Sequence, residues 1–143
     1  MQVSELMSRN PVYVETKEPV SSAAQLMRAR NIGVMPVCDA RGRLAGMLTD
    51  RDIAVRCVAA NLDTRQTPVE DVMTRGAVTA APEEEVQTAL DRMHAEQVRR
   101  LPVVEGGKLV GMLSLADVAR TRAMDMEAAR ALSGITSNIC RKQ

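Results

Sequence analysis

Two repeated pairs of polar side chains could bind a small ligand. Thr49 is followed by Asp52, and Ser114 by Asp117, each pair directly after a short apolar run that begins with glycine. A hydroxyl followed three residues later by a carboxylate is the capping-box pattern that begins many helices. An ionised carboxylate also accepts several hydrogen bonds, so it suits a vicinal diol such as that of a ribose. The residues alone therefore leave a structural and a binding interpretation open.

The two pairs belong to an internal repeat that covers nearly the whole chain. Three stretches recur in the same order: VSELMS at 3–8 as VEDVMT at 69–74, VMPV at 34–37 as RLPV at 100–103, and GMLTDRD at 46–52 as GMLSLAD at 111–117. Copies of about 55–60 residues are too small to be comfortably stable alone. We therefore expect the copies to pack against each other around a pseudo-two-fold axis.

The residue pattern of each copy predicts the same order of elements, β-α-β-β-α. The predicted fold class is α/β (α+β). A short lead helix and a brief strand precede an amphipathic helix with apolar residues at helical spacing, and two strands joined by a turn precede a closing helix. The expected organisation is a first motif over 1–62, a polar linker over 63–68, a second motif over 69–123, and a helical tail over 124–143.

Composition and charge narrow the classes of function. The 143 residues include 19 basic and 18 acidic side chains, for a net charge of +1, and no basic block stands out. This balance makes a nucleic-acid partner a poor expectation, as does a composition with one Tyr and no Trp or Phe for base stacking. No run of about 18 apolar residues is present, so we expect no membrane span. Three cysteines, an odd number, indicate reduced thiols in a cytoplasmic protein.

Metal ligands and catalytic nucleophiles are scarce in the sequence. The cysteines Cys38, Cys57 and Cys140 lack metal or redox spacing, and His94 is the single histidine. No Ser/His or Cys/His pair suggests itself as a nucleophile with its base. We therefore predict no metal site, no catalytic residue and no catalytic cofactor, and we expect that the chain is not an enzyme.

Taken together, the repeated motifs resemble a tandem pair of CBS domains, named after cystathionine β-synthase and also called a Bateman module. The resemblance covers roughly residues 3–122 and rests on ELMS and DVMT, on the MPV and LPV strands, and on GMLTDRD and GMLSLAD as the ribose motif G-h-h-S/T-x-x-D, where h is apolar. It implies two CBS motifs around a pseudo-two-fold axis. It also implies adenosyl ligands, among them AMP, ADP, ATP, NAD and S-adenosylmethionine, bound without catalysis.

The resemblance further implies which residues contact the ligand. Ribose would be held by Thr49 with Asp52 and by Ser114 with Asp117. The base slots would be lined by Ile32, Met35 and Pro36 in the first copy and by Val98, Leu101 and Pro102 in the second, and the candidate phosphate contacts are Arg51, Arg99 and Arg100. Because two of these arginines lie in the second copy, we expect Asp117 to matter more for a phosphorylated ligand.

The resulting functional hypothesis is a regulatory sensor that binds an adenine nucleotide as a regulatory ligand and changes its conformation or its partner contacts. The alternative is a structural dimerisation module whose pockets stay empty and whose hydroxyl–carboxylate pairs only cap helices. Under either hypothesis we expect a homodimer, because each small sheet leaves aliphatic faces that need cover. An unidentified regulated protein would be the further partner of a sensor.

Overall fold

The computed structural model describes the backbone of residues 1–142, and the side chains of these residues except those at 124, 127, 132 and 134–142. The elements are α1 (Val3–Leu6), β1 (Ser8–Arg9), β2 (Val14–Glu15), α2 (Val20–Arg30), β3 (Val34–Cys38), β4 (Leu44–Thr49), α3 (Asp50–Ile53), α4 (Val86–Glu96), β5 (Arg100–Glu105), β6 (Lys108–Ser114) and α5 (Leu115–Lys142). A π-helical turn, Ala54–Val58, continues α3, and a 3₁₀ turn, Val69–Asp71, replaces the second lead helix expected from the sequence.

Two three-stranded sheets form the centre of the molecule. One has the order β2-β3-β4, with β2 parallel to β3 and β3 antiparallel to β4. The other has the order β1-β6-β5, and both of its pairings are antiparallel. The sheets with their covering helices confirm the predicted mixed α/β (α+β) class. The brief second strand expected at 76–80 is reduced to a single parallel bridge between Ala80 and Val103.

Two hydrophobic cores divide the chain differently from the sequence repeat. The first core takes its members from residues 14–57 and also contains Val69, Val72 and Met73 from the second lead segment, residues 69–74. The second core takes its members from residues 80–118 and also contains Val3, with Leu6 and Met7 packed against it, from the first lead segment, residues 3–8. Each repeat therefore contributes its lead segment to the core of the other, which agrees with a pseudo-two-fold arrangement.

The repeated glycines make this exchange of lead segments sterically feasible. A Cβ on Gly46 would lie 2.5 Å from the carbonyl oxygen of Thr74, and one on Gly111 would lie 2.8 Å from the carbonyl oxygen of Ser8. The backbone of Met47 exchanges two hydrogen bonds with that of Thr74, at 2.8 and 2.9 Å. Glycine thus permits close approach of another backbone at both positions, as glycine in a strand often does.

The closing helices differ in length between the two copies. The first is short, because α3 and its π turn end at Val58, whereas α5 continues without a break from Leu115 to Lys142. The boundary that we placed between 123 and 124 therefore falls inside a continuous helix. The predicted linker, 63–68, runs beside the start of α2, where the backbone N–H of Val20 donates to the carbonyl of Thr67 at 2.9 Å.

Candidate functional site

The first hydroxyl–carboxylate pair lies where β4 ends and α3 begins. The backbone N–H of Asp52 donates to Thr49 Oγ1 at 3.0 Å, and the backbone N–H of Thr49 donates to Asp52 Oδ2 at 3.0 Å. Both bonds of a capping box are thus formed. Asp52 is 9% exposed, so its carboxylate is largely removed from water and oriented by the local backbone.

The second pair caps its helix through the hydroxyl alone. The backbone N–H of Asp117 donates to Ser114 Oγ at 3.1 Å. The carboxylate of Asp117 is directed instead to the guanidinium of Arg120, one turn along α5 and largely exposed. The two copies therefore share a sequence motif but hold their carboxylates in different surroundings.

A cleft with a volume of about 510 Å³ brings residues of both repeats to the first pair. Its wall contains Thr49 and Asp52 from one repeat and the exposed Arg99 and Arg100 from the other. The complete lining is Val34, Met47, Thr49, Asp52, Thr74, Gly76, Ala77, Val78, Val98, Arg99, Arg100 and Pro102. The lining combines apolar residues, a hydroxyl–carboxylate pair held by a capping box, and two arginines, so it suits a ligand with an apolar ring, a diol and an anion.

A smaller cleft, of about 440 Å³, includes Ser114 of the second pair in its lining but not Asp117. It is lined by Arg99, Arg100, Ser114, Leu115, Ala116 and Ala119. The same two arginines border both clefts, so their position in the second copy does not assign them to Asp117. The backbone N–H of Leu115, at the start of α5, donates to the carbonyl of Arg99 at 2.8 Å. This hydrogen bond connects the backbone at Arg99 to the start of the helix.

Several residues assigned to the base slots lie elsewhere. Met35 and Leu101 are 0% exposed and belong to the two hydrophobic cores, and Pro36 is also fully buried. Val98 and Pro102 do line the larger cleft, whereas Ile32 packs against the first core. The reason is that β3 is buried on both faces over Met35–Cys38. Met35 and Pro36, which the MPV motif assigns to the base slot, are therefore core residues.

Arg51 also lies outside both described clefts. Its side chain is exposed, and its backbone N–H donates to the carboxylate of Asp50 at 2.8 Å. The roles of Arg51, Met35, Pro36 and Leu101 as ligand contacts therefore stay predictions from the resemblance, and the lining of the two clefts does not include them.

The segment that follows the second lead segment contributes to the wall of the larger cleft, and no motif in the sequence indicates this. Gly76, Ala77 and Val78 line this cleft together with Thr74, the last residue of the second lead segment. Residues 76–78 belong to none of the repeated motifs. Thr74 reaches the cleft because its backbone pairs with Met47 across the exchange of lead segments. The sequence signal for this approach was Gly46 itself, because glycine inside a strand often marks the close approach of a ligand or of another backbone.

Comparison with known proteins identifies the family. The CBS domain model matches the chain twice, over residues 3–58 and 69–123. This chain belongs to the CBS domain family. It carries two copies of the domain, in agreement with the internal repeat and with the two sheets.

Individual relatives match this CBS domain pair over most of both chains. The CBS domain-containing protein YhcV of Bacillus subtilis is 38% identical over 134 residues, which is 94% of each chain. The structure of Hypoxic Response Protein I with two coordinated zinc ions has a TM-score of 0.78 and 35% identity, covering 84% of this chain and 98% of the other. The CBS domain pair of MJ0100, in complex with 5′-methylthioadenosine and S-adenosyl-L-methionine, has a TM-score of 0.75 and 27% identity, covering 87% and 98%.

Three further observations concern the described residues of the CBS domain pair. No three His, Cys, Asp or Glu side chains in the described part of the chain gather as a metal site requires. Burial, aided by the charges of Asp39 and Glu15, raises the pKa of the Cys38 thiol to about 11, so this thiol stays protonated near neutral pH. The search for a helix long and apolar enough to cross a membrane, made over the same described residues, finds none.

Proposed function

We propose that this CBS domain pair is a regulatory module that binds a phosphorylated adenosyl ligand in its larger cleft. The observation that carries the proposal is the convergence of Thr49 and Asp52 with Arg99 and Arg100 from the other repeat. In this assignment Asp52 accepts hydrogen bonds from the ribose diol. Apolar side chains such as Met47 and Val98 contact the adenine, and the arginines bind phosphate.

Charge supports AMP, ADP or ATP over the two ligands of the MJ0100 domain pair. Guanidinium groups bind phosphate through paired, charge-assisted hydrogen bonds. Methylthioadenosine carries no phosphate, and the sulfonium of S-adenosylmethionine would be repelled by Arg99 and Arg100. The adenosyl ligands of that related pair support the general class of ligand, and the arginines of this chain favour its anionic members.

In this proposal the module performs no reaction of its own. A ligand changes the conformation only if it binds one arrangement of the two motifs better than another. The larger cleft is lined by both repeats, so a ligand bound there contacts both and can favour one relative arrangement. We further propose that the module is a cytoplasmic homodimer and that an unidentified protein reads this change.

A structural dimerisation module is the second candidate function, because the described hydroxyls already have a structural role. Thr49 and Ser114 both accept a hydrogen bond from the backbone N–H three residues later. If capping were their whole role, the clefts would need no ligand. The convergence of two arginines on the same cleft is not explained by capping, and it favours the binding function.

Calorimetric titration of AMP, ATP and S-adenosylmethionine separates these candidates. We expect AMP and ATP to bind the wild-type protein more tightly than S-adenosylmethionine. Loss of a charge-assisted hydrogen bond costs about 1.5–3 kcal/mol, so Arg99→Ala/Arg100→Ala should weaken AMP binding by about 10- to 100-fold or more. The matched control is Arg28→Ala/Arg30→Ala, which removes two exposed arginines from α2 and should leave AMP binding unchanged.

Two results would contradict the proposal. Wild-type protein that binds none of the three ligands at millimolar concentration would support the structural module. Equal AMP affinity of the wild type and of the Arg99→Ala/Arg100→Ala variant would remove the phosphate assignment, even if an adenosyl ligand binds.

A further inference from the structure

Arg56 links the first closing helix to the second lead segment. Its Nη1 donates to the carbonyl oxygens of Val72 and Met73, both at 3.1 Å, and lies 3.2 Å from Thr74 Oγ1. Because Nη1 carries two hydrogens, the three acceptors share them. This guanidinium therefore holds a short stretch of chain that belongs to the other repeat and borders the larger cleft.

The same nitrogen of Arg56 also faces the candidate ribose carboxylate. Nη1 lies 3.6 Å from Asp52 Oδ1, and the side chain of Asp52 is only 12% exposed. The other oxygen, Oδ2, accepts the hydrogen bond from the backbone N–H of Thr49. Both carboxylate oxygens are thus fixed before any ligand is bound, and each retains lone pairs for a diol.

The second repeat has no equivalent of this link. The residue that matches Arg56 in the repeat is Thr121, whose hydroxyl donates to the backbone carbonyl of Asp117 at 3.0 Å. The Asp117 carboxylate pairs with Arg120 of its own helix, whose side chain is 70% exposed. In the described structure, neither of these side chains connects Asp117 to the first lead segment.

We propose that Arg56 is a positioning residue that makes the cleft at Asp52 the preorganised ligand site of the pair. The proposal rests on the proposed function. A site whose carboxylate and wall are already ordered loses less entropy when a ligand binds. The ligand at Asp52 is also coupled, through Arg56, to the segment 72–74, which belongs to the second repeat and contributes Val72 and Met73 to the first core.

Adenosine and amide exchange distinguish positioning from simple attraction of phosphate. Adenosine lacks a phosphate, so a change in its affinity reports on the ribose and base contacts alone. We expect Arg56→Ala to lower the affinity for adenosine and for AMP by a similar factor, about tenfold. In the ligand-free variant, the amides of Met73 and Thr74 should exchange faster with solvent, because their segment has lost its side-chain anchor.

Two further variants keep the test independent of a general loss of stability. Arg56→Lys retains the charge with fewer donors and should recover part of the lost affinity. Arg120→Ala removes the ion pair between Arg120 and Asp117. It should change neither adenosine binding nor amide exchange in residues 72–74. Melting temperatures of all variants, measured alongside, identify any variant that fails to fold.

The possible outcomes separate this inference from the proposed function. If the wild type and Arg56→Ala bind adenosine equally, positioning by Arg56 is wrong and the proposed function stands. If AMP affinity falls and adenosine affinity does not, Arg56 is a phosphate contact and positioning is again wrong. If the wild type binds neither ligand, the proposed function fails and the role in binding fails with it, whatever amide exchange shows about the link.

Discussion

The carboxylates of Asp52 and Asp117 contribute to stability in different ways. The Asp52 carboxylate is nearly buried, accepts a backbone hydrogen bond from Thr49, and faces Arg56. The Asp117 carboxylate is more exposed and pairs with one surface arginine. Exposed ion pairs contribute only about 0–1 kcal/mol to folding. The local structure therefore depends more strongly on Asp52.

We expect Asp52→Ala to destabilise the protein more than Asp117→Ala. The first substitution removes half of a capping box and leaves the partners of a largely buried carboxylate unpaired, at a cost of about 1–3 kcal/mol. The second should cost less than about 1 kcal/mol, because its backbone N–H still donates to Ser114. Urea unfolding midpoints, with unchanged slopes, measure both differences.

The hydroxyls provide the matched control for this comparison. Thr49→Ala and Ser114→Ala each remove one hydroxyl acceptor with nearly the same geometry, at 3.0 and 3.1 Å. We expect similar losses from these two variants, each within about 0.5–2 kcal/mol. Equal losses from Asp52→Ala and Asp117→Ala would show that the difference in carboxylate surroundings has no energetic consequence.

At the scale of elements, the lead segments decide which parts of the chain depend on each other. All members of the first core lie between Val14 and Met73, so that core is continuous in sequence. The first repeat as read from the sequence, residues 1–62, lacks Val69, Val72 and Met73. It also contains Val3, which is 0% exposed in the other core.

A fragment of residues 10–78 should therefore fold better than one of residues 1–62. The longer fragment keeps the complete first core and the backbone pairing of Met47 with Thr74. Domains of about 60 residues are marginal, so we expect partial but native-like helix and strand signals from 10–78 and an unfolded spectrum from 1–62. Circular dichroism and the dispersion of NMR amide signals measure the difference.

The control for the fragment experiment is Val72→Asp in residues 10–78. Val72 is 1% exposed in the first core, so a charge there should abolish folding of the fragment. If 1–62 folds as well as 10–78, the lead segment is dispensable for the first core, and the dependence between repeats is weaker than the packing indicates.

The main helices and hairpins were predictable from the sequence, whereas the exchange of lead segments between the two cores was not. Apolar spacing in the repeats located α2, α4 and the two hairpins, because local pattern and turn chemistry determine these elements. VSELMS and VEDVMT resemble each other, so either segment could pack against either copy without changing the pattern. Tertiary contacts distinguish the two arrangements, namely the approaches of Thr74 to Gly46 and of Ser8 to Gly111 and the packing of each lead segment in the other core.

The candidate site was predictable in part for a related physical reason. The hydroxyl and the carboxylate are fixed by local capping geometry, which the spacing Thr49 to Asp52 encodes. The base slot depends on which strand face points outward, and alternation cannot show this for a strand buried on both sides, such as Met35–Cys38. The wall formed by residues 74–78 depends on a tertiary contact and has no local signature.

At the scale of the whole molecule, several exposed apolar side chains lie at the end of the first closing helix and just beyond it. Val55 is 52% exposed, Val58 is 59% exposed and Leu62 is 45% exposed. Val55 and Val58 lie in the π-helical turn, whereas Leu62 lies beyond it, directly after Asn61 in the left-handed conformation. Leu115 and Met126 on α5 are also exposed, at 44% and 58%. Single exposed apolar residues are ordinary, but three of them between residues 55 and 62 suit burial against a second copy.

We expect the wild-type protein to sediment as a dimer at micromolar concentration, with Val55, Val58 and Leu62 in the interface. Val55→Glu/Val58→Glu places two charges where apolar surface would be buried, so this variant should sediment as a monomer and keep the wild-type circular dichroism spectrum. Tyr13→Ser is the matched control, because Tyr13 is 49% exposed but lies between β1 and β2, off the closing helices. It should leave the dimer intact. A wild type that sediments as a monomer would contradict the homodimer, and a dimer that survives both glutamates would place the interface on another surface.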